Sequence, residues 1–490
     1  MQIRCVMTVA LIAAVAYPHS ALGEKNLILK VRALPQQMVG PTGDLAEIEV
    51  REAFYERFPH IEISTLGRND EPDILMMGAG GTKEFADKGK LLPLDGFVSR
   101  IPPDALAERV PEVLRPSAFF EGMDGKKRWW ALPTMPYVYV LGYRKDLFRK
   151  CGLDPNRPPR DWPELLAAAR KLTDPEAGTY GMGSIPNWSL HVDWYPFLAA
   201  AGGDTFVRDE EGNWKPAFGS PAAVEAAELF VELYARSWRD ASGTARNGFV
   251  PDAPKSWRSW TLWKEGKVGM RLLELTDLGA YGAHDPDVVG IVPIPRFPGR
   301  EQVHYVSGSL WGISSTVRGR NGYSTEEVIE AAWQYILFFR SDEAQRIRTR
   351  VCVERDDAWQ VQPKYLVKYG YEEEIEKLSD DDAWSALYDR AMASGKAMPN
   401  APGAVYAMFA LIDCINLEKR GELGKTPEER KARIMWFLRC GADAAQEKID
   451  AQARTRLLKR LAVPIVLAVA ILLSAVVFCL FRRRKKRKKD

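Results

Sequence analysis

Residues 47–63 read EIEVREAFYERFPHIEI, a helical repeat followed directly by a strand. Glu47 to Phe58 has its apolar residues at helical spacing, a proline ends that pattern, and Ile61 to Ile63 alternates apolar with polar. Leu27 to Val31 upstream and Asp73 to Met77 downstream add two further predicted strands. Strands that alternate with helices are typical of α/β folds, so we expect a mainly parallel sheet.

Later helices are predicted from their starting residues. Asp161, Ser324 and Thr426 are each followed three residues later by a glutamate, the pattern of a capping box. Ser220 precedes a proline at the start of a fourth apolar-periodic run. These four positions therefore mark predicted helix N-termini.

The C-terminal end of the chain has the composition of a membrane span. Leu461 to Phe481 contains no charged residue and, as a helix, is about 30 Å long, the thickness of a bilayer core. Eight consecutive cations, Arg482 to Lys489, follow it and favour a cytoplasmic location for the tail 482–490. The sequence thus predicts a single-pass anchor with the preceding residues on the extracytoplasmic side.

The N-terminal end is consistent with that topology. Arg4 precedes an apolar stretch, Val6 to Tyr17, and small residues stand before Glu24. This order is typical of a cleaved secretory signal peptide, here residues 1–23. An uncleaved N-terminal anchor is the alternative.

Charge and cysteine content narrow the class of protein. The net charge is +3, but the tail 482–490 carries eight cations and one carboxylate, so the remainder is mildly acidic. An acidic body argues against nucleic acid as a partner.

Four cysteines lie outside the predicted signal peptide and membrane span: Cys151, Cys352, Cys414 and Cys440. They could form disulfides in any of three pairings, or remain free thiols. Their spacing does not predict a metal site.

Catalytic signatures are scarce. The chain has five histidines and neither an HExxH nor a GxSxG motif, and the glycine-rich turn Gly78–Gly81 lacks the phosphate-loop pattern. We therefore expect no cofactor and no enzymatic activity. A glycosidase carboxylate pair remains an open alternative.

Several short segments, in this order along the chain, resemble a known family. They are Pro72–Leu75, Phe85–Gly89, Leu92–Asp95, Asp124–Lys126, Leu141–Phe148, Asp161–Ala169, Ala200–Asp204, Gly266–Met270 and Ser341–Gln345. Over roughly residues 27 to 445 the chain resembles the extracellular solute-binding proteins of sugar ABC importers, of the maltose type.

The resemblance implies an α/β, two-lobed fold like that of type II periplasmic binding proteins, with hinge crossovers. The expected first lobe comprises residues 24–136 and 306–345, and the second comprises 137–305 and 346–445, before a stalk at 446–460. The chain would cross between lobes near Thr134 to Tyr137 and again near Tyr305 to Gly312.

The resemblance also places ligand contacts in the cleft between the lobes. Sugar sites combine aromatic faces with polar groups that bond hydroxyls. The candidates are Met77, Gly78, Tyr137, Trp188, Asp193, Trp194, Thr276, Asp277, Gly308, Ser309 and Trp311. Packing of a helix or a hinge is the alternative for the aromatic members of this set.

The expected function is capture of a carbohydrate for an ABC importer, without catalysis. The expected partners are the sugar, the permease subunits and the lipid bilayer, which the chain would contact through Leu461 to Phe481. The expected location is the cell membrane. A ligand-sensing ectodomain and a surface glycosidase are the two alternatives.

Overall fold

The structure is a computed structural model. It describes residues 26–31, 40–66, 70–183, 190–240, 242–251, 256–274, 285, 287–378 and 383–486. Within these ranges the side chains of 40–41, 190–192, 256–259, 378, 383 and 459–486 lie outside the description. The signal peptide predicted for residues 1–23 is outside the described residues.

Helices and strands alternate through most of the described chain. The helices are α1 (Gly40–Arg57), α2 (Thr82–Asp87), α3 (Asp95–Val98), α4 (Pro103–Arg109), α5 (Arg115–Ala118), α6 (Lys145–Lys150), α7 (Trp162–Leu172), α8 (Leu190–Ala200), α9 (Pro221–Tyr234), α10 (Ser256–Lys264), α11 (Thr325–Phe339), α12 (Asp342–Glu354), α13 (Pro363–Tyr369), α14 (Glu373–Leu378), α15 (Ala383–Ser394), α16 (Val405–Lys419) and α17 (Pro427–Lys486). Short 3-10 turns occur at Glu112–Leu114 and Ala358–Gln360.

The strands are β1 (Leu27–Val31), β2 (Ile61–Thr65), β3 (Ile74–Gly78), β4 (Phe119–Glu121), β5 (Lys127–Trp129), β6 (Leu132–Arg144), β7 (Tyr180–Met182), β8 (Phe206–Arg208), β9 (Trp214–Pro216), β10 (Ser237–Arg239), β11 (Ala245–Asn247), β12 (Val268–Glu274), β13 (Val289–Val292) and β14 (Tyr305–Ile313). The strands predicted upstream and downstream of α1 are confirmed.

One large sheet runs through the molecule in the order β2-β1-β3-β14-β6-β12-β7, with β13 also paired to β6. Strand β1 is parallel to β2 and β3, and β12 is parallel to β7. The central pairings of β14 with β3 and β6, and of β6 with β12 and β13, are antiparallel. The expectation of a mainly parallel sheet is therefore wrong, because the two long strands at its centre run in opposite directions.

The predicted helix starts are confirmed. Ser324 and Glu327 form a complete capping box, and Thr426 and Glu429 exchange the same pair of bonds. Asp161 accepts the N–H of Glu164, whose own carboxylate bonds the N–H of Arg160 one residue earlier. The Ser220 hydroxyl accepts the N–H of Ala223.

Buried side chains form two cores, and we call the parts built around them the first and second lobes. The first core holds β1 to β3 together with α11 and α12, and the second holds α7 to α9 together with α16. The first core also includes four residues from the part of the chain between β6 and β14, because the large sheet is shared by both lobes. These residues are Trp263, Val268, Leu273 and Val289.

Apart from those four residues, the described part of the chain passes between the cores at three places. Along β6 the core changes between Val140 and Leu141, and along β14 between Tyr305 and Val306. The third passage lies between Ala391 and Met398, where Lys396 pairs with the start of β14. Two of these passages fall within or next to the crossovers implied by the sequence.

The segment from Val351, in α12, to Ala391, in α15, lies on the lobe opposite to the one expected. The sequence assigned residues 346–445 to the second lobe, but the buried side chains from Val351 to Ala391 pack in the first core. Amphipathic periodicity identifies the buried face of a helix and not the sheet that covers it. The lobe boundaries as a whole stay a prediction.

Helix α17 is a single helix of 60 residues. Its first half packs on the second lobe through Ile434, Leu438 and Ala445. The predicted span, Leu461 to Phe481, lies further along this helix, where the side chains are outside the description. Over the described part of the chain, no helix is both long and apolar enough to cross a membrane.

The four cysteines whose side chains the structure describes are free thiols. Cys352 and Cys414 are buried, Cys151 is half-buried and Cys440 is exposed. The sequence left open whether these cysteines form disulfides or remain free thiols, and in the structure they are free thiols.

Candidate functional site

The two long strands that pass between the lobes present one half-buried polar face. Along β6, Val138 and Val140 are buried while Tyr137 and Tyr139 between them are only partly covered. Strand β14 alternates in the same way, with Ser307 and Ser309 partly covered between buried neighbours. Because alternate residues of a strand share a face, these side chains lie together on one face of the sheet, where the chain passes between the two cores and where the family resemblance implies the ligand cleft. We call them, with Tyr305, the crossing-strand face.

Short hydrogen bonds order this face. The Tyr137 hydroxyl lies 2.8 Å from the hydroxyl of Ser309. The Tyr139 hydroxyl donates to Glu274 Oε1 at 3.0 Å, and the rings of Tyr139 and Tyr305 lie 4.8 Å apart. Aromatic rings thus alternate with hydroxyl and carboxylate groups along this face, the combination that suits polyhydroxylated ligands.

Burial, with nearby carboxylates adding to it, raises the pKa of two phenols of this face, Tyr139 and Tyr305. Burial raises the pKa of Tyr139, and the charges of Glu274 and Asp193 raise it further. Burial also raises the pKa of Tyr305, where the Asp193 charge again adds to the effect. Both hydroxyls therefore remain hydrogen-bond donors at neutral pH, because each pKa lies well above its ordinary range.

On the second-lobe side of this face, Tyr195 is buried in the second core. Its single hydroxyl hydrogen is shared between Asp204 Oδ1 at 3.2 Å and the carbonyl of Ala397 at 3.1 Å. Lys396 forms an ion pair with Asp204 at 2.9 Å. The third passage between lobes is thereby fastened to helix α8, and the Tyr195 ring lies 5.1 Å from that of Tyr305.

On the first-lobe side of this face lies the turn between β3 and α2. The N–H of Ala79 donates to the carbonyl of Gly308 at 2.9 Å, and Lys83 N–H donates to Asn400 Oδ1 at 2.9 Å. A Cβ at Gly80 would lie 2.4 Å from Met398 Cε, so this turn packs directly against the third passage, and a larger residue here would have to displace the end of the Met398 side chain.

Four of the predicted site residues come together at this face. Tyr137 and Ser309 are hydrogen-bonded, Gly308 carries the carbonyl that holds the turn between β3 and α2, and Gly78 stands opposite Ser309 in the sheet. Asp193, on α8, is close enough to Tyr139 and Tyr305 for its charge to raise the pKa of both.

Other predicted residues occupy core positions. Met77 is 4% exposed in the first core, whereas its neighbour Met76 is 62% exposed. Trp194 is fully buried in the second core, and Trp311 packs against Tyr335 and Phe339. Their packing favours the alternative of helix or hinge packing, and ligand contact by any of the predicted residues stays a prediction.

Trp188, Thr276 and Asp277 lie outside the described residues, so the structure does not place their side chains.

Sequence reasoning missed Tyr139, Glu274, Tyr305 and Ser307. The missing signal was the period of two in Tyr137-Val138-Tyr139 and in Tyr305-Val306-Ser307-Gly308-Ser309. This alternation predicts a strand with one polar aromatic face, and two such strands indicate a shared surface. Glu274 had no comparable signal, because its place beside Tyr139 depends on the register of β12 on β6.

A family profile described as bacterial extracellular solute-binding protein matches residues 62–346, which is more than half of the chain. The chain belongs to this family. Its two-lobed α/β architecture, with strands that cross between the lobes, is therefore that of an extracytoplasmic solute-binding protein.

Curated relatives of this solute-binding protein match over part of their length. A protein of Brucella abortus (strain 2308) named as a binding protein is 27% identical over 220 residues, or 42% of this chain and 50% of the relative. The sn-glycerol-3-phosphate-binding periplasmic protein of the same organism is 33% identical over 98 residues, 19% of this chain and 22% of its own. The chain thus spans about half the length, or less, of the curated relatives it matches.

Solved structures share the fold of this solute-binding protein over most of its length. An ABC transporter solute-binding protein of Thermotoga lettingae TMO, bound with alpha-D-tagatose, has a TM-score of 0.62 and 19% identity, covering 87% of this chain and 100% of the other. A maltose-bound T. maritima protein has a TM-score of 0.59 and 20% identity, covering 84% and 99%. At these identities the likeness establishes the fold alone.

Proposed function

We propose that this solute-binding protein captures a carbohydrate in the cleft above the crossing-strand face and delivers it to an ABC importer. The observation that carries the proposal is the face itself, where tyrosine rings alternate with serine hydroxyls and Glu274 between two lobes. Such a surface stacks on the apolar side of a sugar ring and pairs with its hydroxyls.

The neighbouring solved structures support a sugar as the ligand class. Proteins of the same fold, 19% and 20% identical to this chain, are bound to alpha-D-tagatose and to maltose. The relative named for sn-glycerol 3-phosphate makes a small polyol phosphate the competing ligand, but it matches only a fifth of this chain.

We further propose that Leu461 to Phe481 tether the protein to the membrane. The support is the uncharged 21-residue run with eight cations after it, together with its position on the continuous helix α17. Tethering would hold the receptor beside its permease and raise the effective concentration of encounter.

Titration calorimetry of the full chain in detergent tests the ligand proposal. Monosaccharides, polyols, maltodextrins and sn-glycerol 3-phosphate are titrated separately, and we expect saturable binding of one sugar class with no release of reducing ends. The variant Tyr137→Ala should lose that binding, and the matched control Tyr371→Ala, on the first lobe away from the cleft, should retain it. Absence of binding by every sugar, or hydrolysis of one, would refute the proposal.

A further inference from the structure

A separate cavity of about 190 Å³ lies in the first lobe, where α4, the end of α11 and the helices α12 and α13 meet. Its charged and hydroxyl-bearing lining consists of Glu108, Arg109, Arg340, Asp342, Tyr365, Lys368 and Tyr369. None of these residues belongs to the crossing-strand face. The volume is several times the ~30 Å³ that one water molecule occupies in the liquid.

Arg340 is a buried cation at this cavity. It is 7% exposed, and its Nη atoms donate at 3.3 Å to three neutral acceptors, the carbonyls of Arg109 and Pro133 and the hydroxyl of Tyr365. Within the described chain, its Nε has no hydrogen-bond acceptor and no carboxylate lies within 4.0 Å of its guanidinium. A buried guanidinium with only long contacts to neutral groups is costly to desolvate.

The carbonyl groups at the end of α11 do not compensate this charge. Arg340 directly follows the helix, where the carbonyl dipoles favour a cation. However, Arg109 Nη1 donates a hydrogen bond to the carbonyl of Leu337 at 3.0 Å, and Arg348 Nη1 donates one to the carbonyl of Phe339 at 2.7 Å. The helix end is therefore already shared with two other guanidinium groups.

The carboxylates of the lining are engaged elsewhere. Lys368 forms ion pairs with Glu108 at 3.2 Å and with Asp342 at 2.9 Å, and Arg346 also pairs with Asp342 at 3.2 Å. These two cations balance the two carboxylates. Arg109 and Arg340 are left as an excess of two positive charges facing the same space.

Two further groups respond to that excess. Burial, and then the charge of Arg340, lower the pKa of the half-buried Arg109 guanidinium. Burial alone would raise the pKa of the Tyr365 phenol, but the charges of Arg340 and Lys364 bring it below its ordinary value. Both directions agree with a positive potential inside the cavity.

We propose that this cavity binds a small dianionic oxyanion, such as a phosphate group, between Arg109, Arg340 and the Tyr365 hydroxyl. Two guanidinium groups match two negative charges, whereas a monocarboxylate would leave one of them uncompensated. The site is independent of the sugar cleft, so it neither requires nor implies the proposed ligand.

Thermal unfolding of the full chain in inorganic phosphate tests the proposal. At pH 7.5 we expect a saturable rise in Tm with phosphate, and a clearly smaller one with acetate at equal ionic strength. The variant Arg109→Gln should weaken the apparent phosphate affinity about tenfold, the loss expected for one charge-assisted hydrogen bond. The variant Arg340→Lys keeps the charge and should weaken it too, because lysine lacks the planar fork.

Two control variants test whether the phosphate response arises at this cavity. Arg57→Gln removes an exposed arginine of α1 and should leave the phosphate response unchanged. Ser309→Ala alters the sugar cleft and should also leave it unchanged. If Arg340→Lys does not fold, Arg109→Gln decides the question alone. No saturable response, an equal response to acetate, or an unchanged response in Arg109→Gln would each overturn the proposal.

Discussion

Tyr137 is the residue on which the proposed sugar site depends most directly, because its hydroxyl faces the cleft beside that of Ser309. We expect Tyr137→Phe to weaken sugar binding by about 1 kcal/mol, or roughly fivefold in Kd, through loss of one hydrogen bond. Calorimetry measures this change, and the Tm should stay nearly constant because the ring is retained. An unchanged Kd would mean that the ligand does not use this hydroxyl.

The ion pair of Arg348 with Glu47 is a residue-scale test of the first core. Arg348 is fully buried and bonds both carboxylate oxygens, at 2.8 and 2.9 Å, joining α12 to α1. We expect Arg348→Met to lower the free energy of unfolding by about 3–5 kcal/mol, because the Glu47 carboxylate would stay buried after losing the guanidinium that binds both of its oxygens. Urea unfolding measures this loss.

The neighbouring Arg350 is the matched control for that prediction. It pairs with Glu49 and Glu354 on the same two helices but is 40% exposed in its side chain. Arg350→Met should cost only about 0–1 kcal/mol, since solvent screens exposed pairs. Equal losses in the two variants would contradict the importance given to burial.

At the scale of the element, the start of α7 should be sensitive to pH. The side chain and then the backbone N–H of Arg160 hydrogen-bond Glu164, which lowers the pKa of its carboxyl to about 2. The carboxylate therefore stabilises the folded chain in full above its unfolded pKa of 4.5, and this contribution is lost as pH falls towards 2.

Glu164→Gln tests this pH dependence. We expect the variant to melt below the wild type at pH 6 and together with it near pH 2, with a difference that shrinks in high salt because the pair is exposed. The same substitution at exposed Glu373 serves as the control. A difference in Tm that is constant over this pH range would rule out the carboxylate as its source.

Helix α17 joins the two lobes just before the predicted membrane span. Lys448 pairs with Glu84 at 3.2 Å, and Arg456 approaches Asp87 at 3.7 Å and Glu121 at 3.9 Å on the first lobe. Replacing Lys448 and Arg456 together by alanine should lower the Tm only slightly, because both cations are partly exposed and the two contacts of Arg456 are long, at 3.7 and 3.9 Å.

Hydrogen exchange should nevertheless detect the loss of these contacts. We expect faster amide exchange in α2 and in the β4–β5 hairpin of the double variant, since local opening depends on local contacts. Lys431→Ala is the control, because Lys431 pairs α17 with Glu225 and Glu228 inside the second lobe. Equal exchange in wild type and double variant would show that α17 does not restrain the first lobe.

At the scale of the whole molecule, three passages between the cores make closure of the lobes the expected response to ligand. Ligands that bridge two lobes favour the closed state by their differential contacts. Small-angle scattering of the full chain should show a smaller radius of gyration with the bound sugar. The variant Tyr137→Ala should show no such change at the same sugar concentration, and a ligand-bound wild type of unchanged size would refute closure.

Local chemistry allowed the sequence alone to predict the helix starts and the first three strands. The family, and Tyr137 and Ser309 as candidates near the crossovers, came from the resemblance of ordered segments to known proteins, and the contact between these two side chains came from the structure. Capping residues and alternation act within a few positions of the chain, so their consequences are readable in order. The sequence could not decide whether Trp194, Trp311 and Met77 contact ligand, because an apolar side chain suits a core as well as a cleft.

Only the tertiary structure decided which sheet covers α12 to α15, that the central strands are antiparallel, and that Glu274 meets Tyr139. The cavity around Arg340 also depends on it, since Arg109 and Arg340 are far apart in sequence and meet only when α4 packs near the end of α11. The physical reason is common to all of these features. Periodicity specifies that a face is buried, whereas register and packing between distant segments decide what lies against it.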